Sequence, residues 1–185
     1  MEKVYHKSMY GNTGYKTKAA YDRARYERLK EARNALKPPD AITTLTGEER
    51  AYIAGLIDGE GCLFVGAVGP QRDKTVYPIV CVVMTFKPVI QWLTERLQAG
   101  TVKNHGAKAK ILLGYKAQYR FGVSGKRAKL LCETLLPYMK VKREQARLIT
   151  TFPVDARIAP GVKIRRSKIN AVRYRLRDKI NALNH

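Results

Sequence analysis

The sequence predicts an α+β fold whose core elements follow the order αββαββα, with a basic helical extension at each end. Segments with apolar residues at helical spacing alternate with pairs of short segments rich in apolar and β-branched residues, and Gly or Pro residues separate them. Apolar residues make up 45% of the chain, which is too many for a disordered basic protein. We therefore expect a core over residues 46–156, an N-terminal arm over residues 1–45 and a C-terminal tail over residues 157–185.

The first half of the predicted core contains one helix and two strands. Thr46 followed by Glu49 forms a capping box, so a helix begins there and runs to about Asp58. Residues 61–68 and 77–85 have the composition of strands, and a polar turn that begins with Gly and Pro joins them. We expect these strands to form the first of two pairs.

The second half of the predicted core repeats this order. Pro88 marks the start of a helix and Gly100 its end. The remaining elements are strands over residues 101–105 and 117–124 and a last helical region in two pieces over residues 126–136 and 142–151. The strand over residues 117–124 alternates polar and apolar residues, which predicts one solvent-facing side.

Both extensions are predicted to be helical. A polar helix over residues 15–37 ends at the pair Pro38-Pro39. In the tail, six apolar residues recur at roughly helical spacing: Ile164, Ile169, Val172, Leu176, Ile180 and Leu183. We expect the tail both to pack on the core and to contact phosphates, whereas the role of the arm stays open.

The charge of the chain predicts a polyanionic partner. The 36 Lys and Arg residues outnumber the 15 Asp and Glu residues, which gives a net charge of +21. Charge alone is equally typical of a ribosome-associated protein.

The cysteines and the absence of long apolar runs indicate the compartment. The three cysteines are far apart and have no nearby His partner, so we expect buried free thiols in a reducing compartment and not a zinc site. No signal peptide or membrane span is evident, and no membrane partner is expected. An intracellular protein is expected, in the cytoplasm of a bacterium or a phage-infected cell, or in an organelle.

The run IAGLIDGEG, over residues 53–61, has two unusual features for a helix. Ala51, Gly55 and Gly59 are four residues apart and form a stripe of small residues along which a second helix could approach closely. Asp58 and Glu60 place two acids at the helix C-terminus, where the helix dipole disfavours negative charge. Acids in that position suggest a nearby cation.

This run resembles the signature of the LAGLIDADG homing endonucleases, with six of nine positions identical. Residues 137–146, PYMKVKREQA, resemble a later block of that family, in which a Pro, a Lys-x-Lys and a Gln-Ala open the last core helix. The predicted order αββαββα is also that of the family core. The resemblance therefore covers roughly residues 46–151.

The resemblance implies roles for individual residues. Glu60, with the Gly59 carbonyl beside it, matches the ligand of a catalytic Mg²⁺ or Mn²⁺ ion, and Lys142 matches the basic residue of the catalytic pocket. Asp58 matches a structural position. Thr85 stands where the family often has Gln or Asn near the metal-bound waters, which leaves the water-positioning role open.

The resemblance further implies how the chain would bind and cut DNA. A single motif implies a C2 homodimer that meets along Ala51, Gly55 and Gly59 and makes a staggered double-strand cut in a pseudo-palindromic site. The four strands would form a curved antiparallel sheet in the major groove. The residues expected to contact DNA are Arg72, Lys74, Lys103, His105, Lys116, Gln118, Arg120, Ser124, Lys140, Arg165 and Arg166.

Two other functions are compatible with the same fold. One is an RNA-binding maturase whose partner is intron RNA, and the other is a DNA-binding protein without cleavage activity. The presence of both Glu60 and Lys142 argues against the inactive form.

Overall fold

The computed structural model of the chain describes residues 18–35, 40–69, 74–105, 114–154 and 163–184. The elements are α1 (Lys18–Ala35), α2 (Gly47–Glu60), β1 (Gly61–Val68), β2 (Thr75–Met84), α3 (Lys87–Leu97), β3 (Lys103–His105), β4 (Gln118–Ser124), α4 (Gly125–Leu135), α5 (Arg143–Thr150) and α6 (Lys163–Ala182). Elements α2 to α5 confirm the predicted order, and their ends lie within two residues of most predicted ends. None of the described helices is both long and apolar enough to cross a bilayer.

The chain divides into two compact units, Met1–Pro39 and Asp40–His185. The described part of the first unit is α1, on which Tyr26 and Leu29 are exposed. The second unit begins at Asp40 and not at residue 46, because Ile42 and Leu45 are buried in its core.

Helix α2 begins as its capping box predicts. The Thr46 side chain accepts a hydrogen bond from the Glu49 N–H at 3.2 Å, and Glu49 Oε2 accepts one from the Thr46 N–H at 2.8 Å. The same Glu49 carboxylate binds the Arg96 guanidinium of α3 at 2.5 and 2.7 Å. Glu49 therefore links the start of α2 to α3 as well as capping the helix.

The sheet is antiparallel, with strand order β1-β2-β4-β3. Its inner face, which includes Leu63, Val80, Val82 and Phe121, is buried in the hydrophobic core, and helices α2 to α6 all contact the sheet. The outer face carries the alternate residues of each strand. Of the three cysteines, Cys81 and Cys132 are buried as expected, but Cys62 is exposed because it lies on the outer face at the edge strand.

The tail helix α6 packs against β1, β2 and α5. Ile180 is fully buried, and Asn184 Nδ2 donates to the Leu63 carbonyl of the edge strand at 3.0 Å. Arg173 is 7% exposed and donates to the Pro153 carbonyl at 2.9 Å. The expected packing role of the tail is thus confirmed, and Arg173 serves the fold, since its guanidinium is buried against the chain.

Candidate functional site

The acidic end of α2 is joined to the turn before α5 by one carboxylate. Asp58 accepts three backbone hydrogen bonds, from Lys140 at 2.6 Å, Val141 at 3.2 Å and Lys142 at 2.9 Å. Partial burial raises the pKa of the Asp58 carboxyl, but these hydrogen bonds and the charge of Lys142 lower it by more, so the pKa lies below its usual value. Asp58 therefore acts as an anion that organises this turn, which agrees with the structural role that the resemblance implies.

The same turn brings Lys142 to the motif. Lys142 occupies the N-cap position of α5 without a side-chain capping hydrogen bond, and its Nζ donates a short hydrogen bond to the Asp58 carbonyl oxygen at the end of α2. Glu60 lies two residues further along the chain and is exposed, as is Gly59. The fold thus brings the Lys142 ammonium group to a point two residues before Glu60 on the chain, although Lys142 and Glu60 are 82 positions apart in sequence.

Thr85 lies at the same end of the sheet as Glu60. Strand β1 begins at Gly61, which pairs with Val82, so the end of β2 at Met84 lies beside the end of α2. Thr85 follows Met84 and is exposed. The register also places Tyr119, the partner of Met84, and the neighbouring Gln118 at this end. The fold therefore allows Thr85 or Gln118 to approach the site.

The described residues contain no group of three or more His, Cys, Asp or Glu side chains that could hold a metal ion. The Asp58 carboxylate is already engaged by three backbone donors, so the Glu60 carboxylate and the Gly59 carbonyl are the candidate oxygen ligands at this point. Mg²⁺ usually takes one or two protein carboxylates and completes its shell with phosphate oxygens and water. The ligand set fits such an ion only when a substrate phosphate contributes.

The small-residue stripe on α2 faces solvent. Ala51, Gly55 and Gly59 are all exposed, and a Cβ added at Gly55 or Gly59 would have no neighbour within 4 Å. Ile53 and Ile57 are buried in the core of this chain, whereas Tyr52 remains 52% exposed beside the stripe. The Tyr52 ring packs edge-on against Trp92 of α3, with centroids 5.5 Å apart. An open stripe with a fixed aromatic side chain beside it is a suitable surface for a second helix.

The outer sheet face carries several of the residues expected to contact DNA. Lys103 pairs with Arg120, and His105 with Gln118, so that these four residues and Ser124 share one face. Lys103, Gln118 and Ser124 are exposed, and Arg120 is partly buried with its guanidinium 6.0 Å from the centre of the Phe64 ring. The side chain of His105 lies outside the described residues.

The other residues expected to contact DNA are spread more widely. Lys74 is exposed before β2, Lys116 before β4, and Lys140 in the turn that binds Asp58. Arg72 lies outside the described residues, as do the side chains of Arg165 and Arg166, whose backbone belongs to α6.

Three side chains near the end of α2, at the end of the sheet where Thr85 lies, were not identified from the sequence. Lys87 lies over the Tyr119 ring at 5.6 Å, and Phe86 and Val141 are 60% and 75% exposed. Phe86 directly follows Thr85, and Val141 lies between Lys140 and Lys142. Their exposure is the informative signal, and it cannot be read from the sequence because it depends on where β2 and the turn before α5 end.

Comparison with known proteins gives the fold a family context. The sequence matches no protein-family model and no curated protein. The homing endonuclease I-CvuI, solved with the I-CreI target in the presence of Mg, gives a TM-score of 0.58 at 22% identity over 74% of this chain and 82% of that chain. The archaeal intron-encoded homing endonuclease I-Vdi141I, complexed with DNA, gives a TM-score of 0.52 at 15% identity over 74% of this chain and 92% of that chain. The chain has the fold of the LAGLIDADG homing endonucleases.

Proposed function

We propose that this chain is a LAGLIDADG homing endonuclease that hydrolyses double-stranded DNA as a homodimer and leaves a staggered break in a long pseudo-palindromic site. The observation that carries the proposal is the junction at Asp58, which holds Lys142 against the end of α2 while Glu60 stays exposed. Those are the residues to which the sequence resemblance assigns catalysis, and they are distant in sequence. The structures of similar fold that contain DNA support the same substrate class.

The proposed chemistry assigns a role to each of four residues. Glu60 and the Gly59 carbonyl would hold Mg²⁺ or Mn²⁺, which when bound supplies an activated water and a Lewis acid at the scissile phosphate. The Lys142 ammonium would offset the negative charge that develops on that phosphate. The Thr85 hydroxyl is our candidate for orienting the attacking water through a hydrogen bond.

The proposal requires two copies of the chain. The single exposed carboxylate at the end of α2, that of Glu60, is too little for a double-strand cut, and two copies that meet along α2 would bring two Glu60 residues to one symmetry axis. The open stripe of Ala51, Gly55 and Gly59 supports this arrangement.

DNA would lie on the outer sheet face. Lys103 and Arg120 supply positive charge there, and Arg120 and Gln118 have the donor geometry to recognise guanine and adenine edges in the major groove. The net charge of +21 would strengthen binding through phosphate contacts that do not depend on sequence.

The direct test is to incubate the protein with Mg²⁺ and duplex DNA that spans the insertion site of its own gene. We expect two cuts, one in each strand and staggered, that EDTA abolishes. Intact DNA under conditions in which the protein binds that duplex would contradict the endonuclease proposal. Splicing of the host intron RNA by the same preparation, without DNA cleavage, would favour the maturase function instead.

A further inference from the structure

The outer face of the sheet is divided into two chemically different halves. On β1 and β2 it carries mainly apolar side chains, including Phe64, Ile79 and Val83. On β4 and β3 it carries polar and charged ones, including Arg120 and Lys103. The register sets this division, because Cys81 and Val83 of β2 lie opposite Gly122 and Arg120 of β4.

A depression of about 180 Å³ lies where the two halves meet. Ile79 and Tyr77 line it on the apolar side, and Lys103 and Arg120 line it on the charged side. Gly122 leaves its centre open, since a Cβ at that position would have only Arg120 Nε within 4 Å, at 3.8 Å.

The position of Ile79 on the apolar side of the depression depends on a glycine of the neighbouring strand. Ile79 leans across to Gly66 on β1, where a Cβ would lie only 2.5 Å from Ile79 Cδ1. Gly66 therefore gives the Ile79 side chain the space that it occupies, and the glycine is needed here for close approach and not for an unusual backbone angle.

The chemistry of the depression limits what it can bind. The charged side, together with a net charge of +21, favours a polyanion over an apolar protein surface. Among the base edges in the major groove, the 5-methyl group of thymine is the apolar feature that contacts apolar side chains. A thymine methyl against Ile79 would leave Arg120 free to hydrogen-bond to a neighbouring base or phosphate.

We propose that the depression between Ile79 and Arg120, above Gly122, is a subsite for the 5-methyl group of thymine, so that each half-site of the target contains a thymine that is recognised by its methyl group. This inference rests on the proposed function, because it requires duplex DNA on the outer sheet face. It adds a specificity determinant from the strand pair that offers few hydrogen-bonding groups.

The test begins with selection of preferred duplexes from a random pool, with Ca²⁺ in place of Mg²⁺. The selected duplex is then prepared with uracil in place of thymine, which removes the methyl groups and leaves the base-pairing groups unchanged. We expect binding to weaken about fourfold per half-site, the factor expected when one methyl group is no longer buried against an apolar side chain. Uracil at the single subsite position should reproduce that loss.

Variants assign the effect to the depression. Ile79→Ala should bind thymine and uracil duplexes equally well, because the side chain that touches the methyl group is removed. Gly122→Thr should do the same by filling the depression, and the space around Gly122 allows that variant to fold. Val68→Ala is the matched control, since Val68 is exposed on the same face but does not line the depression, and it should keep the preference of the parent protein.

The outcomes separate this inference from the proposed function. Sequence-specific binding with equal affinity for thymine and uracil at every position would overturn the methyl subsite and leave the endonuclease proposal standing. A thymine preference that survives in both Ile79→Ala and Gly122→Thr would also overturn it. Failure to select any duplex would contradict the proposed function itself.

Discussion

At the scale of single residues, Asp58 connects stability to the placement of the site. Its carboxylate accepts three consecutive backbone N–H groups, an arrangement suited to an anion. Asp58→Asn would place an amide donor among those N–H groups, so we expect unfolding free energy to fall by about 1–3 kcal/mol. The cleavage rate should fall as well, because the turn positions Lys142. Urea titration and single-turnover cleavage measure the two effects.

A matched control for this variant is Asp178→Asn. Asp178 pairs with its neighbour Arg177 at 2.7 Å on α6 and is exposed, so its loss should change stability little. Equal stability of Asp58→Asn and the parent protein would contradict the role that we assign to Asp58.

The lowered pKa of Glu49 predicts how the stability of the protein depends on pH. Its hydrogen bonds with Arg96, and then with the Thr46 backbone, lower its pKa from 4.5 to about 2. A carboxylate whose pKa is lower in the folded state than in the unfolded state stabilises the fold above pH 4.5, and this contribution is lost as pH falls through about 2. Glu49→Gln should therefore be less stable than the parent protein at pH 7, and the difference should shrink as pH falls from 4.5 towards 2. Urea titrations across that range provide the check, and a difference that does not change with pH would refute it.

At the scale of elements, α2 is predicted to be the dimer contact. Gly55→Leu adds bulk to the stripe, and its Cβ would meet no described atom within 4 Å, so the monomer should keep its fold while the helices of two copies are pushed apart. Sedimentation with target DNA should show a dimer for the parent protein and a monomer for the variant. Ala171→Leu, at an exposed position of α6, is the control and should remain dimeric. A dimeric Gly55→Leu protein would rule out this interface.

The tail helix combines packing with the phosphate contacts expected from the sequence. Truncation after Pro160 removes Ile180 and the bond from Asn184 to Leu63, so we expect a marked drop in melting temperature.

Lys168 and Arg175 are exposed, and neutralising them tests phosphate binding without unfolding the protein. The slope of log affinity against log salt should shrink by about 0.9 for each phosphate that the variant no longer neutralises. An unchanged slope would mean that these two residues do not touch phosphates.

At the scale of the whole molecule, the order of the core elements could be predicted from sequence because each element carries a local signal. The capping box at Thr46 and the alternation along β4 are examples. The contacts that build the site are not local. Only the fold shows that Asp58 binds the backbone of residues 140–142 or that Ile79 leans over Gly66. Nor does the sequence show that Arg173 is buried against the Pro153 carbonyl, because burial of a guanidinium leaves no local pattern.

The central claim is that Glu60 serves catalysis and not DNA binding, and Glu60→Gln tests it most directly. Affinity and single-turnover cleavage are measured on the same target duplex in Mg²⁺, with Glu48→Gln as the control, since Glu48 is exposed in the first turn of the same helix. We predict that Glu60→Gln binds within about twofold of the parent protein, because it removes a metal ligand and not a DNA contact, and that its cleavage is abolished. Glu48→Gln should bind and cut normally. Cleavage by Glu60→Gln at the rate of the parent protein would contradict the account.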